Sequence, residues 1–105
     1  MKYSSQQENI RLPLPEENDD EMFAIVNKVL GGSRMDVSCA DGKNRLARIP
    51  GGKRRRIKRI NMGDLLIITP WDIQNEKADI QHRYNKYQAR YLSKKQMLPS
   101  EVDVF

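Results

Sequence analysis

Cysteine is almost missing from this chain. Cys39 stands alone among 105 residues, which excludes an internal disulfide and fits a reducing compartment. Histidine is as scarce, with His82 the single imidazole. One Cys and one His fall short of a zinc ligand set, and they form no nucleophile–base constellation. No apolar run approaches the length of a membrane span. Residues 1–21, "MKYSSQQENIRLPLPEENDDE", lack the apolar core of a secretory signal. "PGGKRRR" sets glycines before a lysine, but the Ser or Thr and the spacing of a phosphate-cradling Walker loop are missing. Asp72, Glu76 and Asp79 read as a solvated loop and strand end. The sequence therefore predicts no enzyme, no cofactor and no metal, but a cytoplasmic monomer.

What the chain has is charge, unevenly placed. Net charge is +5. Met1 to Glu21 holds two basic and six acidic residues, a net of −4. Lys43 to Ile60 holds nine basic residues and no acidic one. Six of those nine fall within the seven positions 53–59, "KRRRIKR". His82 to Gln96 adds five Lys or Arg, again without an acid. Such a field concentrates a polyanion near the surface and speeds encounter with it. A charge run can also be a solvated face or a tail, but this one lies between two strand patterns, which argues against a tail.

The pattern along the chain is that of short strands. Residues 1–21 lack periodicity and contain "LPLP", which disfavours helix, so a flexible acidic arm is expected there. "MFAIVNKVLGG", residues 22–32, opens the ordered part. Phe23, Ile25 and Val29 share one face, and Ala24, Val26 and Leu30 the other. In "SRMDVSCADGK", residues 33–43, Met35, Val37 and Cys39 alternate with Arg34, Asp36 and Ser38, the period of a half-buried strand. In that phase Cys39 is a small core hydrophobe. Asp41-Gly42 then predicts a tight hairpin turn with positive φ angles. "NRLARI" (44–49), "DLLIITP" (64–70) and "KADIQHRY" (77–84) complete five strands, the last with Ile80, His82 and Tyr84 on one face. Five short strands suit a small closed barrel, which leaves no exposed edges. Asn85 can cap a final helix over residues 85–98, with Tyr87, Tyr91 and Leu98 along its packing side. The expected fold is all-β with a C-terminal helix: arm 1–21, barrel 22–84, helix 85–98 and an acidic-apolar tail 99–105.

On such a barrel the basic loop is the candidate nucleic-acid site. Arg54, Arg55, Arg56 and Arg59 supply guanidinium forks for phosphate oxygens, and Lys53 and Lys58 add point charges. Arg45 and Arg48 extend the patch from the third strand. Arg83 and Lys86 continue it beyond the fifth. Trp71, in "TPWD", either stacks on a base or covers the barrel end.

These residues also carry a resemblance. "ENIRLPLPEENDDEMFAIVNKVLGGSRMDVSCADGKNRLARIPG", "GDLLIITPWDIQNEKADIQHRY" and "NKYQARYLSKKQMLP" resemble translation initiation factor 1A, most closely its archaeal form, over nearly the whole chain. The resemblance implies an oligonucleotide-binding (OB) barrel with a C-terminal helix. It further implies binding to rRNA at the A site of the small ribosomal subunit, near the decoding centre. There the family blocks premature aminoacyl-tRNA entry, assists initiator-tRNA placement and works with other initiation factors. The rRNA contact falls by position on Lys53, Arg54, Arg55, Arg56, Lys58 and Arg59. Eukaryotic members end in an acidic-apolar tail that meets the subunit-joining GTPase, which here points to Val104 and Phe105. Two stretches depart from the family. "IKRI", residues 57–60, stands where a "V-W-I"-like step usually closes the loop, and the N-terminal arm is acidic where the eukaryotic one is basic.

The competing expectation is a general single-stranded RNA or DNA binder of cold-shock type. Such a protein exposes a row of aromatics on its strands. Aromatics are 7% of this chain, and residues 33–49 contain none, which favours a reader of backbone and shape.

Overall fold

The computed structural model describes residues 12–57 and 59–105. Five strands, β1 (Met22–Gly31), β2 (Arg34–Cys39), β3 (Asn44–Arg48), β4 (Leu65–Pro70) and β5 (Lys77–Arg83), are followed by one helix, α1 (Lys86–Lys94). The strands close in the order β1-β2-β3-β5-β4. All neighbours are antiparallel except β3 and β5, which run parallel from Leu46↔Lys77 to Arg48↔Asp79. This is the five-stranded barrel with a terminal helix that the sequence predicts.

Alternation along the strands builds two cores. Ala24, Val26, Met35, Val37, Cys39, Ala47, Leu66, Ile68, Ala78 and Ile80 fill the barrel interior. Cys39 is thus a core hydrophobe, and burial pushes its thiol pKa up, keeping it protonated. On the outer wall Phe23, Ile25, Leu65, Ile67 and Tyr84 pack with Ala89, Leu92, Leu98 and Val102. β1 and β4 are therefore apolar on both faces where they pass between the barrel interior and the helix.

Local features differ from the simple patterns. The pairing of β1 with β2 slips between Val26 and Lys28 and again between Val29 and Gly31, and Val29 and Leu30 are exposed. The β2–β3 turn spans Ala40 to Lys43 and has one left-handed residue, Gly42, at φ +86°. Cys39 O accepts from Gly42 N at 2.9 Å, and Asp41 Oδ1 accepts from Lys43 N at 3.1 Å. The turn is thus longer than a two-residue loop: a turn from Cys39 to Gly42 needs only the one left-handed glycine, and the Asp41 side chain caps it. In β5 a further slip falls between Ile80, paired with Ile68, and His82, paired with Ile67. Gln81 is the extra residue. Ile80 consequently faces the interior while His82 sits on the same outer wall as Tyr84, so the three do not share one face.

The helix is shorter than expected. Its capping box is formed by Asn85 and Gln88: Gln88 N donates to Asn85 Oδ1 at 2.8 Å, and Asn85 N donates to Gln88 Oε1 at 3.1 Å. Ala89 and Leu92 are its buried residues, whereas Tyr87 is 72% exposed. Of the expected side, Leu98 is buried in this core and Tyr91 packs partly against it, while Tyr87 stands clear. The tail lies along the helix. Ser100–Val102 form a short 3-10 turn that buries Val102, and Ser93 Oγ donates to Asp103 Oδ1 at 2.7 Å. At the other terminus, Leu12 packs on the outer core, and the Tyr84 phenol donates to the Pro13 carbonyl. Burial holds that phenol far above its usual pKa, so it stays a donor. The expected arm therefore contributes contacts from Leu12 onward, and residues 1–11 lie outside the described chain.

Candidate nucleic-acid interface

The loop between β3 and β4 is built on two isoleucines. Ile57 and Ile60 turn inward and join the barrel core. They belong to the "IKRI" step that departs from the family, so the anchoring is aliphatic. Around them the chain folds tightly. Gly51–Lys53 make a 3-10 turn, and Ile57 N donates to Lys53 O at 2.9 Å. Arg59 is exposed in the left-handed region at φ +51°, a conformation that the flanking anchors impose on a non-glycine residue. The return to β4 is stitched to β1 by Gly63 N to Val26 O at 2.8 Å and Val26 N to Asp64 O at 3.0 Å. Asp64 Oδ2 also accepts from Asn61 N at 2.8 Å.

This anchoring turns the cations outward. Arg54, Arg55, Arg56 and Arg59 are exposed and Lys53 is half-buried. None of the five is in an ion pair within the described residues. Lys58 lies outside the described residues. Arg83 adjoins the loop and reaches Asp64 at 3.8 Å. Lys86 is exposed at the first position of α1.

A second basic surface occupies the outer face of β2, β3 and β5. Arg34 and Arg48 are cross-strand partners. Arg48 Nε donates to Asp79 Oδ1 at 3.1 Å, and its guanidinium carbon lies 4.9 Å from the centre of the Trp71 ring. Lys77 Nζ lies 5.5 Å from the same ring. Trp71 Nε1 donates to Asp79 Oδ1 at 3.0 Å. The indole is thus half-buried with two cations close to its ring, a cation–π arrangement. Arg34, Lys77 and Asp79 complete this cluster. Only strand parity hinted at Arg34, and the parallel β3–β5 pairing that brings Lys77 and Asp79 in is not written in the local sequence.

Arg45 corrects an expectation. It does not extend the patch, because it alternates with Arg48 in β3 and faces the barrel interior. It is 4% exposed. Its guanidinium donates to Asp41 Oδ1 at 3.0 Å, Asp41 Oδ2 at 2.9 Å, the Asn75 carbonyl at 2.7 Å and Asn75 Oδ1 at 2.9 Å. The bidentate pair holds the Asp41 carboxyl below its usual pKa and raises that of Arg45.

No group of three or more metal-ligating side chains gathers among the described residues. No helix among them is long and apolar enough to cross a membrane.

Comparison with known proteins agrees with this geometry. The family model described as translation initiation factor 1A / IF-1 matches residues 9–104. Translation initiation factor 1A of Thermoplasma volcanium is 47% identical over 104 residues, covering 98% of this chain and 84% of the relative. That of Picrophilus torridus is 45% identical over 105 residues, covering 100% and 96%. Among solved structures, YjeQ from Thermotoga maritima is similar with a TM-score of 0.51 at 20% identity, over 62% of this chain and 23% of that one. That likeness concerns the barrel fold alone. Sequence match and barrel together place the chain in the translation initiation factor 1A / IF-1 family.

Proposed function

We propose that this protein is a cytoplasmic, monomeric translation initiation factor, without enzymatic activity, that binds rRNA at the A site of the small ribosomal subunit. There it assists initiator-tRNA placement and assembly of the initiation complex. The observation that carries the reading is the loop seated on Ile57 and Ile60, whose Arg54, Arg55, Arg56 and Arg59 are exposed and without an ion pair among the described residues. Apolar anchoring fixes where the charges stand, so the loop offers phosphates a preset pattern. Lys53, Arg54, Arg55, Arg56, Lys58 and Arg59 form the main contact, with Arg48, Trp71, Arg83 and Lys86 at its margins. Val104 and Phe105, exposed at the end of a tail pinned by Val102, are the contact for the subunit-joining GTPase. The barrel 22–84, the helix and the tail act as one binding body.

Co-sedimentation with purified small subunits, challenged by excess single-stranded RNA, tests this. Retention on the subunits supports a folded rRNA site. Complete displacement by the competitor would favour the cold-shock type of binder instead.

A further inference from the structure

A cleft of about 210 Å³ lies between the basic loop and the end of β5, lined by Lys53, Arg56, Ile57, Gln81, His82 and Arg83. It is distinct from the outward rim of the loop, since Arg54 and Arg55 do not line it. Three cations converge on it. Asp64 is near Arg83 alone, at 3.8 Å, and neither Lys53 nor Arg56 meets a carboxylate among the described residues. In the cleft wall, His82 Nε2 is closed from solvent and has no hydrogen-bond partner. A buried nitrogen without a partner is costly, so its presence beside three cations asks for an explanation.

We propose that this cleft is a binding site for one phosphate group, held by Arg56, Arg83 and Lys53, and that His82 takes up a proton from solvent when the phosphate enters. Guanidinium forks match phosphate oxygens, and the lysine adds a mobile point charge. The slip at Gln81 aligns His82 with Ile67 and Arg83 with Leu66, so consecutive residues reach the cleft from opposite faces of β5. The imidazole is neutral in the empty cleft. Burial lowers its pKa first, and Arg83, Arg56 and Lys53 lower it further. Its other neighbours among the described residues are uncharged: Tyr84, whose ring meets it edge-on at 4.7 Å, Ile67 from β4, and Ile57 and Gln81, which line the same cleft. An anion between the cations reverses the sign of the local field, and an imidazolium then becomes favourable. Linkage gives the consequence: phosphate affinity rises as pH falls from the raised, filled-cleft midpoint toward the lower, empty-cleft one.

The phosphate can come from an RNA backbone or from free inorganic phosphate. Only the first source rests on the rRNA-binding reading. His82 is the sole histidine, so its ring protons report without ambiguity in NMR spectra of the full chain. The pH titration is run with sodium sulfate, which stays dianionic throughout, against sodium chloride of equal ionic strength, and then with a short RNA hairpin. The expected result is a midpoint raised by about one pH unit with sulfate. The rise is lost in Arg56→Ala and kept in Arg55→Ala. A rise with the hairpin as well assigns the cleft to backbone phosphate, and a rise with sulfate alone assigns it to a free oxyanion. A midpoint unmoved by both, or one that moves equally in Arg56→Ala, overturns the proposal. If subunits still bind in that case, the rRNA reading stands without the cleft. A sulfate-induced rise in a protein that ignores subunits would mean the reverse.

Discussion

Arg45 and Arg48 are three positions apart and have opposite fates. Parity in β3 sends Arg45 inward and Arg48 outward, and their surroundings follow from that. Four hydrogen bonds tie the Arg45 guanidinium to Asp41 and Asn75, joining the β2–β3 turn to the loop before β5. Arg45→Ala should therefore cost about 2–3 kcal/mol, because charged hydrogen bonds are lost and Asp41 is left unpaired. Chemical denaturation measures this, and RNA binding by the folded fraction should be unchanged. Asp41 adds a pH signature. Its folded pKa lies below the usual 3.8, so its contribution to stability is complete above that value and fades as pH falls through the folded one. Asp41→Asn should be less stable than wild type at neutral pH, and the difference should shrink in acid. A gap constant down to the lowest pH reached would mean the carboxylate is not the source.

At the scale of elements, turns and caps decide where each segment ends. Gly42 sits at φ +86°, and an added Cβ there would meet nothing within 4 Å. The cost of a side chain is therefore backbone strain alone. Gly42→Val should lose about 1–2 kcal/mol, read as a lower Tm, and Gly42→Asn should lose less because Asn tolerates the left-handed region. Equal melting of glycine and valine forms would place the strain elsewhere. Asn85→Ala removes the side-chain half of the capping box and should cost about 1 kcal/mol, seen as a lower Tm and faster amide exchange in the first turn of α1. The strands were legible because two-residue alternation is a local property: Met35, Val37 and Cys39 announce β2 unaided. The slips at Asn27 and Gln81 were not legible, since a bulge is defined by the partner strand. The same reason hid the true helix stripe. Tyr87 and Tyr91 have helical spacing, but only the packing of Leu65 and Ile67 selects Ala89 and Leu92 as the buried pair.

For the whole molecule, charge is separated from what holds the fold together. The core is apolar on both walls of β1 and β4, while Lys53, Arg54, Arg55, Arg56 and Arg59 stand outside it on two isoleucine anchors. The sequence displays those cations openly. It does not display the anchoring, because Ile57 lies inside the charged run and Ile60 directly after it, and only the closed barrel gives them an apolar cavity to enter. Two perturbations should therefore separate cleanly. Ile57→Ala should destabilise by about 2–4 kcal/mol, since it empties a packed position, and should weaken RNA binding by loosening the loop without changing charge. Replacing Arg54, Arg55 and Arg56 with Ala should leave stability within about 0.5 kcal/mol, because exposed side chains outside the core are removed. The triple variant should instead act on the salt dependence. Each lost phosphate contact reduces the counterions released, so the slope of log K against log salt should flatten by about 2–3 if all three arginines meet phosphates. The measurement is subunit affinity over a salt series for wild type and for both variants. Ile57→Ala should shift the line downward with its slope kept, and the triple variant should change the slope. A folded triple variant with the wild-type slope would show that the arginines stand clear of the RNA, and the basic surface around Arg34, Arg48 and Trp71 would then be the contact to test.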